Sequence, residues 1–307
     1  ERTADDELTL EIVSNPLWYV VQAIPNYQTP QKADALNWMN YFYIQSMAAH
    51  IVKENPEIGE VFKQWQMLSP DELQSELFQN PELKKVMIEE TPWLLNAENQ
   101  SQRKKDIARL FDENNLSMQL ETALNKLTQM QKPNGGFGCM DGMKTSPWIS
   151  AQMASSLGQL LETAILDLEK DYRSRNIIKK LVNYLDKELE IAYQKAQKDH
   201  KKYHSTHSNL LTARSYFLEI QALKKSDQAF DFFLNKWKEK KNQKSLSEKM
   251  RLARVLWKSD QKEEAQDLIA AIRDVALTDD HGGVYWRDFQ RYESVSKQAE
   301  MISLFEL

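Results

Sequence analysis

Glycine is the residue that most limits what this chain can build. There are only 8 in 307 residues, and five of them sit in two short clusters, Gly135-Gly136-Phe137-Gly138 and Gly282-Gly283. A β-rich chain of this length needs many tight turns, and such turns draw on glycine for positive φ. The chain therefore leans towards helix. Hydrophobic residues at 41% and charged residues at 28% are the balance of a chain with a buried core and a solvated surface.

Helix starts recur along the sequence. Asn55-Pro56, Ser69-Pro70, Asn80-Pro81, Thr91-Pro92 and Ser146-Pro147 each set a capping residue before a proline at the first helical position. That position has no use for an N–H, so proline fits there without loss. Ser69 with Glu72 and Ser245 with Glu248 add capping-box spacing. Ile149, Met153, Leu157, Leu160 and Ala164 fall on one helical face, as do Leu210, Ala213, Phe217 and Ile220. The pattern predicts roughly ten to twelve helices. Thr9 to Val13 alternates and reads as a short strand leading into Asn15-Pro16. No linker interrupts the rest, so one domain is expected over 15–307.

The two glycine clusters look like echoes of each other. Each is expected to end one helix and precede another, as a left-handed glycine turn followed by an aromatic plug. Many helices with Gly-Gly-aromatic connectors suggest an all-α chain arranged as an α/α toroid. A helical bundle or a solenoid shares most of the pattern.

Charge and composition exclude some functions. A formal net charge of −5 argues against a nucleic-acid partner. The basic run Lys236 to Lys244 reads as a solvated linker between helices. No apolar stretch approaches the ~20 residues that span a bilayer. The single cysteine, Cys139, rules out an internal disulfide and suits either a reducing compartment or the periplasm. It reads as a small, semi-buried apolar residue. The sequence shows no n-region or h-region, so any signal peptide is expected to have been removed or to lie outside it.

His200, His204 and His207 have metal-ligand spacing if they share a helix. Tyr203, Ser205 and Thr206 instead suggest a helix start that breaks this face, and lysines at 195, 198, 201 and 202 disfavour a cation. No metal and no cofactor are expected. Asp141 and the Asp279-Asp280 pair are the best carboxylates for glycan hydrolysis, although turn chemistry explains the latter. Aromatics are dense at both ends, at Trp18, Tyr19, Tyr27, Trp38, Tyr41, Phe42 and Tyr43, then at Tyr285, Trp286, Phe289 and Tyr292. They read as core and inter-helix packing, or as a surface that docks neighbouring domains.

Several segments together resemble one family. Asn15 to Pro25 (NPLWYVVQAIP), Tyr41-Phe42-Tyr43 running into Ala48-Ala49-His50-Ile51, and Asn134 to Leu160 with its Gly-Gly-Phe turn resemble the thioester domain of bacterial alpha-2-macroglobulins. Thr212 to Phe217, and Tyr285-Trp286 through Ala299-Glu300, match later landmarks in the same order. The resemblance implies an α/α toroid of the terpenoid cyclase and prenyltransferase type set into a flanking β-domain. Residues 1–14 would then be a strand remnant of that β-domain, and the chain a C-terminally cut piece of a longer protein.

Active members of that family carry a Cys-x-Glu-Gln motif whose cysteine sulfur is acylated by the glutamine side chain. Here Ala33 stands at the cysteine position, Ala35 at the glutamate position and Leu36 at the glutamine position. Neither reacting atom is present. The resemblance thus implies a non-enzymatic, complement-like module in the periplasm or cell envelope, lipid-anchored through the full-length protein. It would contribute to protease entrapment without covalent capture. Its partners would be proteases and the neighbouring β-domains, with no direct membrane insertion of this segment. The alternatives are a toroidal enzyme acting on glycans or isoprenoids, and an envelope scaffold or adhesion module.

Overall fold

The computed structural model describes residues 21, 24, 30, 32–67, 107–199, 205–220, 228–239, 241, 244–280 and 282–287. Within them the protein is all-α apart from one small hairpin. The helices are α1 (Ala35–Glu54), α2 (Pro56–Met67), α3 (Glu113–Met130), α4 (Pro147–Glu162), α5 (Tyr172–Asp199), α6 (Ser205–Ser215), α7 (Gln228–Lys238), α8 (Leu246–Lys258) and α9 (Lys262–Arg273). Strands β1 (Leu277–Thr278) and β2 (Val284–Tyr285) pair antiparallel. The strand expected at Thr9 to Val13 and the proline starts at 70, 81 and 92 lie outside the described residues. No helix among the described residues is long and apolar enough to cross a membrane.

Side-chain caps fix where many helices begin. Ser146 accepts from the Ile149 N–H ahead of Pro147, and Ser245 accepts from the Glu248 N–H, so both sequence-read starts stand. α2 begins at Pro56 as expected. Three further starts use aspartate. Asp34, Asp112 and Asp171 accept from the N–H groups of Asn37, Asn115 and Ser174 at 2.8, 3.0 and 3.0 Å. Each bond satisfies one of the first-turn donors that have no intrahelical acceptor.

Two compact units divide the chain. One comprises Glu1–Lys32 with Asn40–Ala123, the other Ala33–Met39 with Leu124–Leu307. Two of the boundaries, at 39/40 and 123/124, fall inside helices, so no linker composition marks them. The first unit closes on Phe62, Ile107, Leu110, Phe111 and Leu116 packed with Ala48 and Ile51. The Phe62 and Phe111 rings lie 4.7 Å apart between centroids. In its part of α1, Gln45 is fully buried and neither amide atom has a hydrogen-bond partner.

The second unit is built in two rows. α4 packs on α6, and α6 on α8; α5 packs on α7. Consecutive helices α4–α5, α5–α6, α6–α7 and α8–α9 also touch. Lys238 at the end of α7 reaches Glu264 of α9 at 2.9 Å, extending the second row. α4, α5 and α6 thus each pack on the helix two places further along the chain. α4 and α6 approach closely at Gly158, where an added Cβ would lie 2.4 Å from the Tyr216 side chain. Between the rows, buried Arg214 of α6 donates to the Asp186 carboxylate of α5 at 2.5 Å.

Several expectations need correction. α4 stops at Glu162, with Thr163 as its cap, so Ala164 lies beyond the helix at φ 55 and is exposed. α6 stops at Ser215, and although Phe217 is buried in the following turn, Ile220 is half exposed. The basic run is not all linker. Lys236 and Lys238 belong to the last turn of α7, and Lys241 reaches Asp267 of α9 at 3.6 Å. Gly282-Gly283 does not sit between two helices in the way expected, because it closes the β1–β2 hairpin after α9. The echo with the first cluster is nevertheless present in another form. Gln131 and Phe137 form an isolated antiparallel bridge after α3. Gly135 and Gly282 both take positive φ, at 91° and 81°, and both turns end in a fully buried aromatic, Phe137 and Trp286.

Two stability measurements check this packing. Asp186→Ala leaves the buried Arg214 guanidinium without that carboxylate and is expected to cost about 3 kcal/mol in urea unfolding. Gln45→Met removes an unsatisfied buried amide at similar volume and is expected to raise stability by about 1 kcal/mol.

Candidate functional site

The start of α1 and the first glycine loop come together in the second unit. Asp34 caps α1 through its Oδ1, while its Oδ2 accepts from the Asn37 side-chain amide at 2.8 Å. Ala33 precedes the cap and is exposed, Ala35 is fully buried, and Leu36 is half-buried. The Ala35 N–H, at the first helical position, donates to the backbone carbonyl of Cys139 at 2.9 Å. Two segments a hundred residues apart in sequence are joined by that bond.

The loop that presents Cys139 is held from below. Gly135 lies so close to α5 that an added Cβ would be 2.2 Å from the Lys180 carbonyl oxygen. At Gly136 a Cβ would be 2.7 Å from the Tyr184 ring, and at Gly138 it would be 2.8 Å from the Lys144 carbonyl oxygen. Only hydrogen fits at these points. Gln131 Nε2 donates to both the Gly135 and Ile177 carbonyls at 2.9 Å, stapling the turn to α5. The buried Phe137 N–H donates to Ser150 Oγ on α4 at 2.9 Å, and its carbonyl accepts from the Ser146 N–H at 2.8 Å. Thus α3, α4, α5 and the α1 start all converge on residues 131–146.

Beyond Gly138 the loop turns outward. The Met143 N–H donates to the Met140 carbonyl at 3.2 Å, and Gly142 has φ 80. Those two features mark a type II turn over Met-Asp-Gly-Met. Cys139 is exposed, which corrects the semi-buried expectation. Met140, Met143 and Trp148 are each about half exposed.

The electrostatics are local. The Asp141 carboxylate is held below its usual range by hydrogen bonding and charge from Lys132, 2.9 Å away, and by the Gly142 N–H. Burial pushes the Tyr184 phenol above its usual range; the Glu188 carboxylate adds to the rise, and hydrogen bonds to Thr145 and Ser150 oppose it. Asp141 therefore works as a loop-closing carboxylate. Asp279 has the same kind of role, accepting from the Gly283 N–H at 2.7 Å, and Asp280 lies exposed in that hairpin turn.

The other sequence candidates separate. α5 ends at Asp199 and α6 begins at Ser205, as the Tyr203-to-Thr206 signal suggests. His200 and His204 lie outside the described residues, and His207 stacks on Phe233 with centroids 4.2 Å apart. No cluster of potential metal ligands of the His, Cys, Asp and Glu types occurs among the described residues. Tyr41 and Phe42 are buried and Trp38 and Tyr43 half-buried, while Trp18, Tyr19, Tyr27, Phe289 and Tyr292 lie outside the described residues. A cleft of about 470 Å³ opens between the ends of α4 and α6, where Lys258 pairs with Glu162 and rides over the Tyr216 ring.

Sequence reading missed Asp34, Ser150 and Tyr184. Asp34 carries a capping signal, an aspartate three residues before Asn37, that a search for Ser-Pro and Asn-Pro starts passes over. Ser150 and Tyr184 carry no local signal, since their roles come from what packs on them.

In chemical terms, Ala33, Ala35 and Leu36 offer neither a nucleophile nor a carboxamide, and the Asn37 amide is committed to Asp34. The only thiol of the chain is Cys139. No protein-family model matches the chain, and no curated protein matches it.

Gly135→Ala tests how far the loop depends on its glycine floor. The variant is expected to lose at least about 2 kcal/mol from strain and overlap together. Backbone amide exchange should also quicken at Ala35, because its acceptor moves with the loop.

Proposed function

We propose that the chain is a thioester-like helical domain of a bacterial alpha-2-macroglobulin-type envelope protein that contributes to protease entrapment without covalent capture. The observation that carries this reading is the Ala35 N–H donating to the Cys139 carbonyl at 2.9 Å. It supports the reading because it joins the segment of Ala33, Ala35 and Leu36 to the Gly-Gly-Phe loop. The two-row stacking of alternate helices supports an α/α arrangement of the kind a toroid uses, and the closed ring is part of the proposal.

Entrapment in this reading is steric. The half-exposed Met140, Met143 and Trp148 favour a face that docks against the neighbouring β-domains of the same protein. The protein around this domain supplies the bait segment that a protease cuts, and the location is extracytoplasmic.

The test uses the full-length protein. It is incubated with an excess of a broad-specificity protease, and the products are separated under denaturing conditions with and without methylamine pretreatment. Inhibition of activity on a large substrate is expected, with no adduct that survives denaturation. A methylamine-sensitive covalent adduct mapping to this domain would overturn the reading, and so would unimpaired proteolysis of the large substrate.

A further inference from the structure

We propose that Asn134 is a modification site gated by folding. When the first glycine loop opens, the Asn134 side chain cyclises onto the Gly135 nitrogen with loss of ammonia, and the isoaspartate that follows cannot re-enter the loop. Asn134-Gly135 is the only Asn-Gly pair in the chain. Glycine has no β-carbon to hinder attack by its own nitrogen, so this asparagine is the most reactive of the unfolded chain.

The native loop holds back the groups that the reaction needs. The nucleophile is the Gly135 nitrogen stripped of its proton, and that N–H donates to the Lys132 carbonyl at 2.8 Å. The electrophile is the Asn134 side-chain carbon, and the amide around it is bound at both atoms. Its Oδ1 accepts from the Gly136 N–H at 3.1 Å, and its Nδ2 donates to Thr145 Oγ1 at 3.1 Å. The Lys132 N–H donates to the Gly136 carbonyl at 2.9 Å and closes the turn, with Gly135 at φ 91 as its glycine bulge. Asn134 is exposed, so bonding and not burial protects it, and reaction waits on local opening.

The Gly135 N–Cγ bond forms as the Cγ–Nδ2 bond breaks, and the Gly135 proton leaves with the amide as ammonia. Water then opens the five-membered imide. Attack at the side-chain carbonyl gives aspartate. Attack at the main-chain carbonyl gives isoaspartate, in which the chain runs through Cβ and Cγ. The loop treats the two products differently. Aspartate keeps the acceptor for Gly136, and the Thr145 hydroxyl can turn to donate to it. Isoaspartate lengthens the backbone by one carbon, about 1.5 Å. The extension falls directly before Gly135, where an added Cβ would already be 2.2 Å from the Lys180 carbonyl oxygen.

The experiment keeps the full chain in mildly alkaline buffer, native in one arm and unfolded in guanidinium chloride in the other. Conversion is read by mass spectrometry of the peptide that carries Asn134. The native arm should convert at least about tenfold more slowly, because only its open population reacts. The unfolded arm is then returned to native buffer, and its folded and unfolded fractions are separated. Isoaspartate, identified by electron-transfer fragmentation, should be depleted about tenfold or more in the folded fraction. Asn134→Asp changes the amide without lengthening the backbone, and should fold and melt as the unaltered chain does. The proposal is overturned if the two arms convert at the same rate. It is also overturned if isoaspartate is shared equally between the two fractions, or if Asn134→Asp fails to fold.

Discussion

The glycine backbone at 135 and 136, lying on the carbonyl of Lys180 and the ring of Tyr184, sets the position of everything above it. Gly135 and Gly136 bring the loop into contact with α5, and no side chain could occupy the gap. From that floor the chain sends Phe137 inward to Ser150 and Cys139 outward to the start of α1. The loop therefore works as a joint between four helices. A β-carbon at its base would be felt at each of them, because close-packed interiors transmit displacement instead of absorbing it.

Much of the helical character was readable from the chain, and the reason is local. Ser146-Pro147 and the Ser245–Glu248 pair announce helix starts through bonds made within a single turn. The aspartate caps at 34, 112 and 171 rest on the same physics but lack a proline to draw attention to them. Helix ends were harder. Ala164 and Ile220 continue an apolar period beyond the last hydrogen bond of their helices, because a buried stripe and a closed backbone ladder answer to different constraints. The Gly282-Gly283 hairpin was misread for a related reason. Glycine at positive φ serves a helix end and a strand reversal equally well.

The site itself was only partly legible. Composition places a lone thiol in a glycine-rich turn, and the resemblance marks Ala33, Ala35 and Leu36. Nothing along the chain says that the two segments touch, since the bond joining them is between backbone groups, which carry no residue signature. The exposure of Cys139 also escaped the sequence, because the residues around it are apolar yet turn outward. The pairing of Arg214 with Asp186 was equally silent, being a contact between helices whose charges lie 28 positions apart.

The packing of α4 on α6, with α5 between them in sequence, has a consequence for how the chain is made. As the protein leaves the ribosome, α4 emerges with Met153, Leu157 and Leu160 ready for burial, while its partner α6 is still inside the exit tunnel or not yet translated. α5, which emerges next, covers only part of that face. A nascent chain paused between α5 and α6 thus carries sticky surface for as long as the pause lasts.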